Sequence, residues 1–204
     1  MKGLPVAQSE SLSSNPAPVE PIKPDHAVVV SDAVPLITRS GFEFHVRPVQ
    51  PSDKDALAEF FTHVSKEDLR FRFLSALQEV PGSLLEMLVN VDHETKEDYI
   101  AFDIDDKTII ASAMVGAKND KSEAEVAIVV RSDYKHRGLS WTFLKYVIEE
   151  ARRRGIKKLQ SLESRDNYAA IELEKEMGFS ARTCPGDSTL MLLEFDLTVN
   201  QPKS

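Results

Sequence analysis

Val126-Ala127-Ile128-Val129-Val130-Arg131-Ser132-Asp133-Tyr134-Lys135-His136-Arg137-Gly138-Leu139-Ser140 is the stretch from which the fold is read. Val126–Val130 is a continuous apolar run of the length of one buried strand. A compact basic turn follows, and Gly138 opens a helix. Leu139, Phe143, Leu144, Val147, Ile148 and Ala151 recur at helical spacing down to about Arg154, where Gly155 stands as a C′ residue. A strand feeding a glycine-bearing turn at a helix N-terminus gathers free backbone N–H groups around an anion. The surrounding charge agrees. Nine Lys/Arg and three acids lie between Arg131 and Lys158, a local +6 in a chain of net charge −8, leaving −14 for the rest. A basic zone on an acidic body suits a small polyanion such as a phosphate ester and argues against nucleic acid.

Upstream, Phe42, Phe44 and Val46 alternate with polar neighbours as a half-buried strand ending at Pro48. Ser52 with Asp55, and Ser65 with Asp68, have the spacing of helix starts. Leu57, Phe60, Phe61 and Val64 form the apolar face of the first helix; Leu69, Phe71, Phe73 and Leu74 belong to the second. A short third helix is expected around Leu84–Val89. Tyr99–Ile104 and Thr108–Val115, joined at Asp105-Asp106-Lys107, read as an antiparallel hairpin. Downstream come a strand at Leu159–Leu162, a helix at Asn167–Met177 closed by Gly178, and a strand at Thr189–Leu197. The pattern predicts an α/β (α+β) domain around one mixed sheet. Residues 1–40 hold six of the eleven prolines and read as a Pro/Ser-rich disordered or extended tail. The domain is expected over 41–199, with a frayed tail at 200–204.

A chain of 204 residues with 42% hydrophobic content suits one core. Its one cysteine, Cys184, excludes an internal disulfide framework and fits a reducing compartment. No apolar run approaches the ~20 residues of a membrane span, and no secretory signal is visible, so a cytoplasmic protein without membrane or nucleic-acid partners is expected. The five histidines (26, 45, 63, 93, 136) show no metal-binding spacing, and no metal is expected. Arg152-Arg153-Arg154 reads as cations facing solvent in a last helical turn.

The turn resembles the acetyl-coenzyme A signature of the GNAT acetyltransferase superfamily, a strand followed by Q/R-x-x-G-x-G/A at a helix start. Lys135 takes the first position, Gly138 the central glycine and Ser140 the last small residue. Asn167-Tyr168-Ala169-Ala170 and Met177-Gly178-Phe179 resemble the later parts of the same pattern. Phe44-His45-Val46-Arg47-Pro48 and Leu69-Arg70-Phe71-Arg72-Phe73-Leu74-Ser75 look like the GNAT domain of bacterial protein lysine acetyltransferases that modify acyl-CoA synthetases. The resemblance implies a GNAT fold, a mostly antiparallel sheet with helices on both faces, and acetyl-CoA as co-substrate. It implies that main-chain groups of Ile128, Val129 and Val130 pair with the pantetheine arm. Lys135, His136, Arg137, Gly138, Leu139 and Ser140 would hold the pyrophosphate, and Asn167 would sit near the arm or the amine. Asn167 equally suits a helix N-cap.

Acetyl transfer to a lysine needs a general base, because its ammonium has a reference pKa near 10.4. Glu125, at the mouth of the apolar strand, matches the position where many relatives keep a catalytic glutamate; Glu123 is the fallback. Many relatives carry a tyrosine where this chain has Glu174, so no general acid is assigned. The expected function is N-acetyl transfer to a protein lysine in a ternary complex, with an acyl-CoA synthetase as a candidate partner. Two alternatives stand beside it: acetylation of a small amine, and acyl-CoA binding by a regulator without turnover.

Overall fold

The computed structural model describes residues 33–199. The expected Pro-rich tail as far as residue 32, and the frayed end at 200–204, lie outside the described residues. Eight strands form one sheet: β1 (Val34–Ile37), β2 (Glu43–Pro48), β3 (Lys96–Phe102), β4 (Ile109–Ala117), β5 (Ala124–Val130), β6 (Lys158–Ser164), β7 (Ser180–Thr183) and β8 (Leu190–Asp196). Their spatial order is β1-β2-β3-β4-β5-β6-β8-β7. Every neighbouring pair is antiparallel except β5–β6. The helices are α1 (Lys54–Thr62), α2 (Lys66–Phe73), α3 (Gly82–Val89), α4 (Leu139–Arg153) and α5 (Tyr168–Glu176).

Strand periodicity divides the core in two. Tyr99 and Ala101 pack in a cluster with Phe143, Leu144, Val147 and Ile171 of α4 and α5. Their neighbours Ile100 and Phe102 pack on the other face with Leu57, Phe60, Leu69 and Leu88 of α1–α3. Helices therefore cover both faces, as the expected fold requires.

Three local expectations change. Ordered structure begins at β1, ahead of the expected Gly41: Val34 pairs with Val46 and Ile37 with Glu43. Pro35 argued against a strand there, but β1 is an edge strand, where a missing N–H costs little. The turn that folds it back closes through Thr38 N–H to Phe42 O at 2.9 Å and Gly41 at φ +84°. The first helix is not started by Ser52. Asp53 accepts from Gln50 N–H at 2.7 Å and from both terminal nitrogens of Arg47 at 2.7 Å, a buried bidentate pair. Finally, Ser180–Thr183 adds β7 beside β8 at the far edge; its polar residues carry no apolar alternation. The second start stands as expected, with Ser65 Oγ accepting from Asp68 N–H at 3.1 Å.

Candidate active site

β5 and β6 touch only at Ala124↔Leu159 and Glu125↔Gln160, then part. Because β5 pairs with β4 along its whole length, the splay frees the backbone groups of β5 that would otherwise bond β6. The wedge is closed at Glu125–Gln160 and opens toward Val130. It continues a cavity of about 460 Å³ lined by Val126, Ile128, Val129 and Val130 of β5, the turn after it, Glu163 and α5.

At the open end lies the basic turn. His136 and Gly138 both have positive φ, +62° and +78°. Gly138 is the N-cap of α4 with no side-chain cap, and the helix's first bond runs from Thr142 N–H to Gly138 O at 3.2 Å. The N–H groups of Leu139, Ser140 and Trp141 therefore have no intrahelical acceptor. His136, Gly138, Leu139, Ser140 and Trp141 all line the cavity. Such a cradle, at the positive end of a fifteen-residue helix, fits a pyrophosphate. The β1–β2 turn backs it: Ser40 Oγ donates to Arg137 O at 2.8 Å, and a Cβ on Gly138 would stand 3.4 Å from Thr38 Cβ.

The two basic side chains of the turn are already engaged. Lys135 Nζ donates to Asp68 at 2.6 and 2.7 Å, tying the cradle to the N-terminus of α2. Arg137 lies over Tyr134 at 4.7 Å and over Phe42 at 5.3 Å. Tyr134 donates to Asp103 at 2.5 Å, and that bond raises its phenol to about 12. The cradle's donors are thus chiefly backbone groups, with these side chains supporting it. Arg152, Arg153 and Arg154 do not line the cavity. Rather than simply facing solvent, Arg154 donates to His93 O and Glu94 O, and Arg152 to Leu197 O.

Carboxyls gather along the wedge, on both faces of the sheet. Glu125 is exposed at the strand mouth, rather than enclosed by its apolar neighbours, and does not line the cavity. Its alternation with Val129 puts it on the α1–α3 face, where its charge acts on Arg72 of α2. Arg72 buries Nε and Nη2 without partners, and burial lowers its pKa. Asp98 is fully buried nearby; Ser112 donates to its Oδ1 at 3.0 Å, its Oδ2 has no partner, and burial lifts it to about 7.

Glu163 and Glu174 also face the cavity, on the α4–α5 side. Ser161 Oγ donates to Glu163 Oε1 at 3.0 Å and Asn167 Nδ2 to Oε2 at 2.7 Å. Asn167 thus occupies the N-cap position of α5, yet its side chain holds Glu163 instead of capping. Glu174 keeps Oε2 buried and unpartnered. Burial first, then the charge of Glu163, raises it to about 8.

The fold brings Ile128, Val129, Val130, Lys135, His136, Gly138, Leu139, Ser140 and Asn167 to one cavity, with Arg137 behind it and Glu125 at the closed end of the wedge. Sequence reasoning missed Asp68, Arg72, Asp98 and Glu163. One signal was available: Ser161 and Glu163 are polar residues in phase with inward-facing Leu159.

The sequence profile of the Acetyltransferase (GNAT) family matches residues 59–179. An acetyltransferase of Pseudomonas aeruginosa is 27% identical over 149 residues, covering 72% of this chain and 80% of that protein. The acetyltransferase Pat of Mycolicibacterium smegmatis is 28% identical over 146 residues, which are 71% of this chain but only 44% of Pat. The GNAT domain of S. lividans PAT superposes with a TM-score of 0.75 at 23% identity, covering 80% of this chain and 96% of that one. A Salmonella typhimurium structure described as a putative acetyltransferase with its cofactor acetyl-CoA superposes at 0.60 and 17% identity, covering 76% and 94%. With the splayed strand pair, the cradle and the profile in agreement, this chain belongs to the GNAT family of acetyltransferases.

Proposed function

We propose that this protein transfers the acetyl group of acetyl-CoA to the ε-amine of a protein lysine, by direct attack in a ternary complex. The observation that carries the reading is the wedge between β5 and β6, with a helix N-terminus at its open end and an exposed carboxylate, Glu125, at its closed end. The backbone N–H groups from His136 to Ser140 hold the pyrophosphate, and main-chain groups of Ile128, Val129 and Val130 take the pantetheine amides. When bound, acetyl-CoA supplies an activated thioester carbonyl. Glu125 accepts the proton that the amine must shed, directly or through a water. The lysine assignment is supported by the resemblance of Phe44–Pro48 and Leu69–Ser75 to lysine acetyltransferase domains and by the similarity to Pat.

Incubation with labelled acetyl-CoA and three acceptor sets tests this: lysine-centred peptides, acyl-CoA synthetases, and small amines such as spermidine. Label on lysine is the expected result. Label on the small amines alone selects a small-molecule acetyltransferase, and tight coenzyme binding with no label selects a regulator. Glu125→Gln is expected to lower kcat by about 10²-fold or more, the usual weight of a general base. Turnover equal to the unaltered enzyme's would remove Glu125 from that role.

A further inference from the structure

Beside the phosphate cradle stands a cation with no anionic partner among the described residues. Lys135 is held by Asp68. Arg137 is stacked on Tyr134 and Phe42 and donates to Asp133 O at 3.2 Å. Arg39, in the exposed turn between β1 and β2, is placed differently. Its guanidinium carbon lies 4.7 Å from the centre of the Trp141 ring, and no carboxylate within the described residues pairs with it. A guanidinium stacked on an aromatic face keeps its charge and its planar fork of donors, which matches a phosphate.

The turn that carries Arg39 is fixed to the cradle. Thr38 is buried against Gly138, and Ser40 Oγ donates to Arg137 O at 2.8 Å. The Thr38 and Ser40 hydroxyls are hydrogen-bonded at 2.9 Å, and Phe42 N–H donates to Thr38 Oγ1 at 3.0 Å. Arg39 therefore sits between two anchored neighbours. Trp141, in the first turn of α4, lines the cavity, whereas Arg39 does not. The guanidinium thus stands just outside the cradle, and it comes from the β1 edge of the sheet rather than from the wedge between β5 and β6.

Coenzyme A carries its pyrophosphate between the pantetheine arm and an adenosine whose ribose bears a further phosphate at the 3′ position. With the arm along β5 and the pyrophosphate on the backbone N–H groups of the turn, the 3′-phosphate is the one left outside the cradle. It is a monoester with a charge of about −1.5 to −2 at pH 7. We propose that Arg39, held on the face of Trp141, binds this 3′-phosphate and selects acetyl-CoA over analogues that lack it. The assignment rests on the acetyl-CoA reading of the cradle. Arg39 lies ahead of residues 59–179, which match the family profile, so the selectivity is a feature this chain adds through β1 and its turn.

Isothermal calorimetry on the full chain, with coenzyme A and dephospho-CoA at about 0.15 M salt, tests it. The unaltered protein should bind coenzyme A about tenfold more tightly than dephospho-CoA, the weight of one charge-assisted contact at an exposed site. Arg39 is exposed and outside both core clusters, so its replacement leaves the fold intact. Arg39→Gln should erase the preference, lowering coenzyme A affinity about tenfold and moving dephospho-CoA by less than about twofold. Arg39→Lys, which keeps the charge without the fork, should retain part of it. Trp141→Leu, which removes the ring beneath the guanidinium, should also shrink the ratio. Equal binding of both ligands by the unaltered protein overturns the assignment and leaves the acetyl-CoA reading standing. So does an Arg39→Gln variant that keeps the full preference, or one that weakens both ligands alike. An unaltered protein that binds neither ligand overturns both readings.

Discussion

Gly138 shows how much one residue carries. It stands at φ +78°, at the start of α4, with Thr38 3.4 Å from where a Cβ would lie. An L-residue in the left-handed region costs roughly 1–2 kcal/mol, so Gly138→Ala should strain the turn and weaken acetyl-CoA binding by about tenfold. Gly138→Asp adds a negative charge beside the phosphate cradle and should weaken it by about 100-fold or more. Isothermal calorimetry with acetyl-CoA reads both, and an unchanged affinity in the aspartate variant would remove the cradle from the coenzyme. Gly138 was legible in the sequence because a glycine at a helix start has few competing explanations. Glu174 was legible only as a substitution for the tyrosine of relatives. Its burial, and the unpartnered oxygen that follows from it, depend on α5 packing over β6.

At the scale of elements, α4 is the member on which the site depends, because it offers its N-terminus to the cradle and buries one face against the sheet. Phe143 has no exposed surface and shares a cluster with Tyr99, Ala111, Leu159 and Phe195. Phe143→Ala should destabilise the protein by roughly 3–5 kcal/mol through lost transfer energy and the cavity left behind. A urea midpoint lowered at constant m-value would show it. The apolar period of α4 and the Gly155 cap at φ +80° were both readable from sequence. The edge strands were not. β1 contains a proline and β7 is polar, and each exists because a neighbouring strand offers its backbone. The value of β1 to the site is likewise non-local, since Ser40 and Thr38 reach residues nearly a hundred positions away.

The whole molecule carries opposing titrations. Asp98 and Glu174 have folded-state values raised to about 7 and about 8 by burial. A raised carboxyl contributes stability that is complete below its unfolded value and lost as pH rises through the folded one. Stability should therefore decline between about pH 4 and 8 through these two groups. Glu194 works the other way: hydrogen bonds from Arg182 first, then Gln160, lower it to about 2. Its contribution is present above the unfolded value and lost as pH falls toward 2. Thermal melts should then show a maximum on the acidic side, about pH 4 to 5. Asp98→Asn and Glu174→Gln should each flatten the alkaline decline, and a decline unaltered in both variants would show that folding does not raise the proton affinity of these carboxyls.

What the sequence determined alone were the features written in local chemistry: the apolar strand, the glycine turn, the amphipathic helix and the spacing to Asn167 and Gly178. Each needs only neighbours within a few residues, so periodicity and backbone preference suffice to read it. Only the tertiary structure decided which groups share an environment. It parted β5 from β6 after two residue pairs, occupied Lys135 with Asp68, and turned Asn167 from a helix cap into a partner of Glu163. It also left Glu125 in solvent while burying Glu163 and Glu174. The reason is physical: a carboxyl's proton affinity follows from its dielectric surroundings and its donors, and these come from elements distant in the chain.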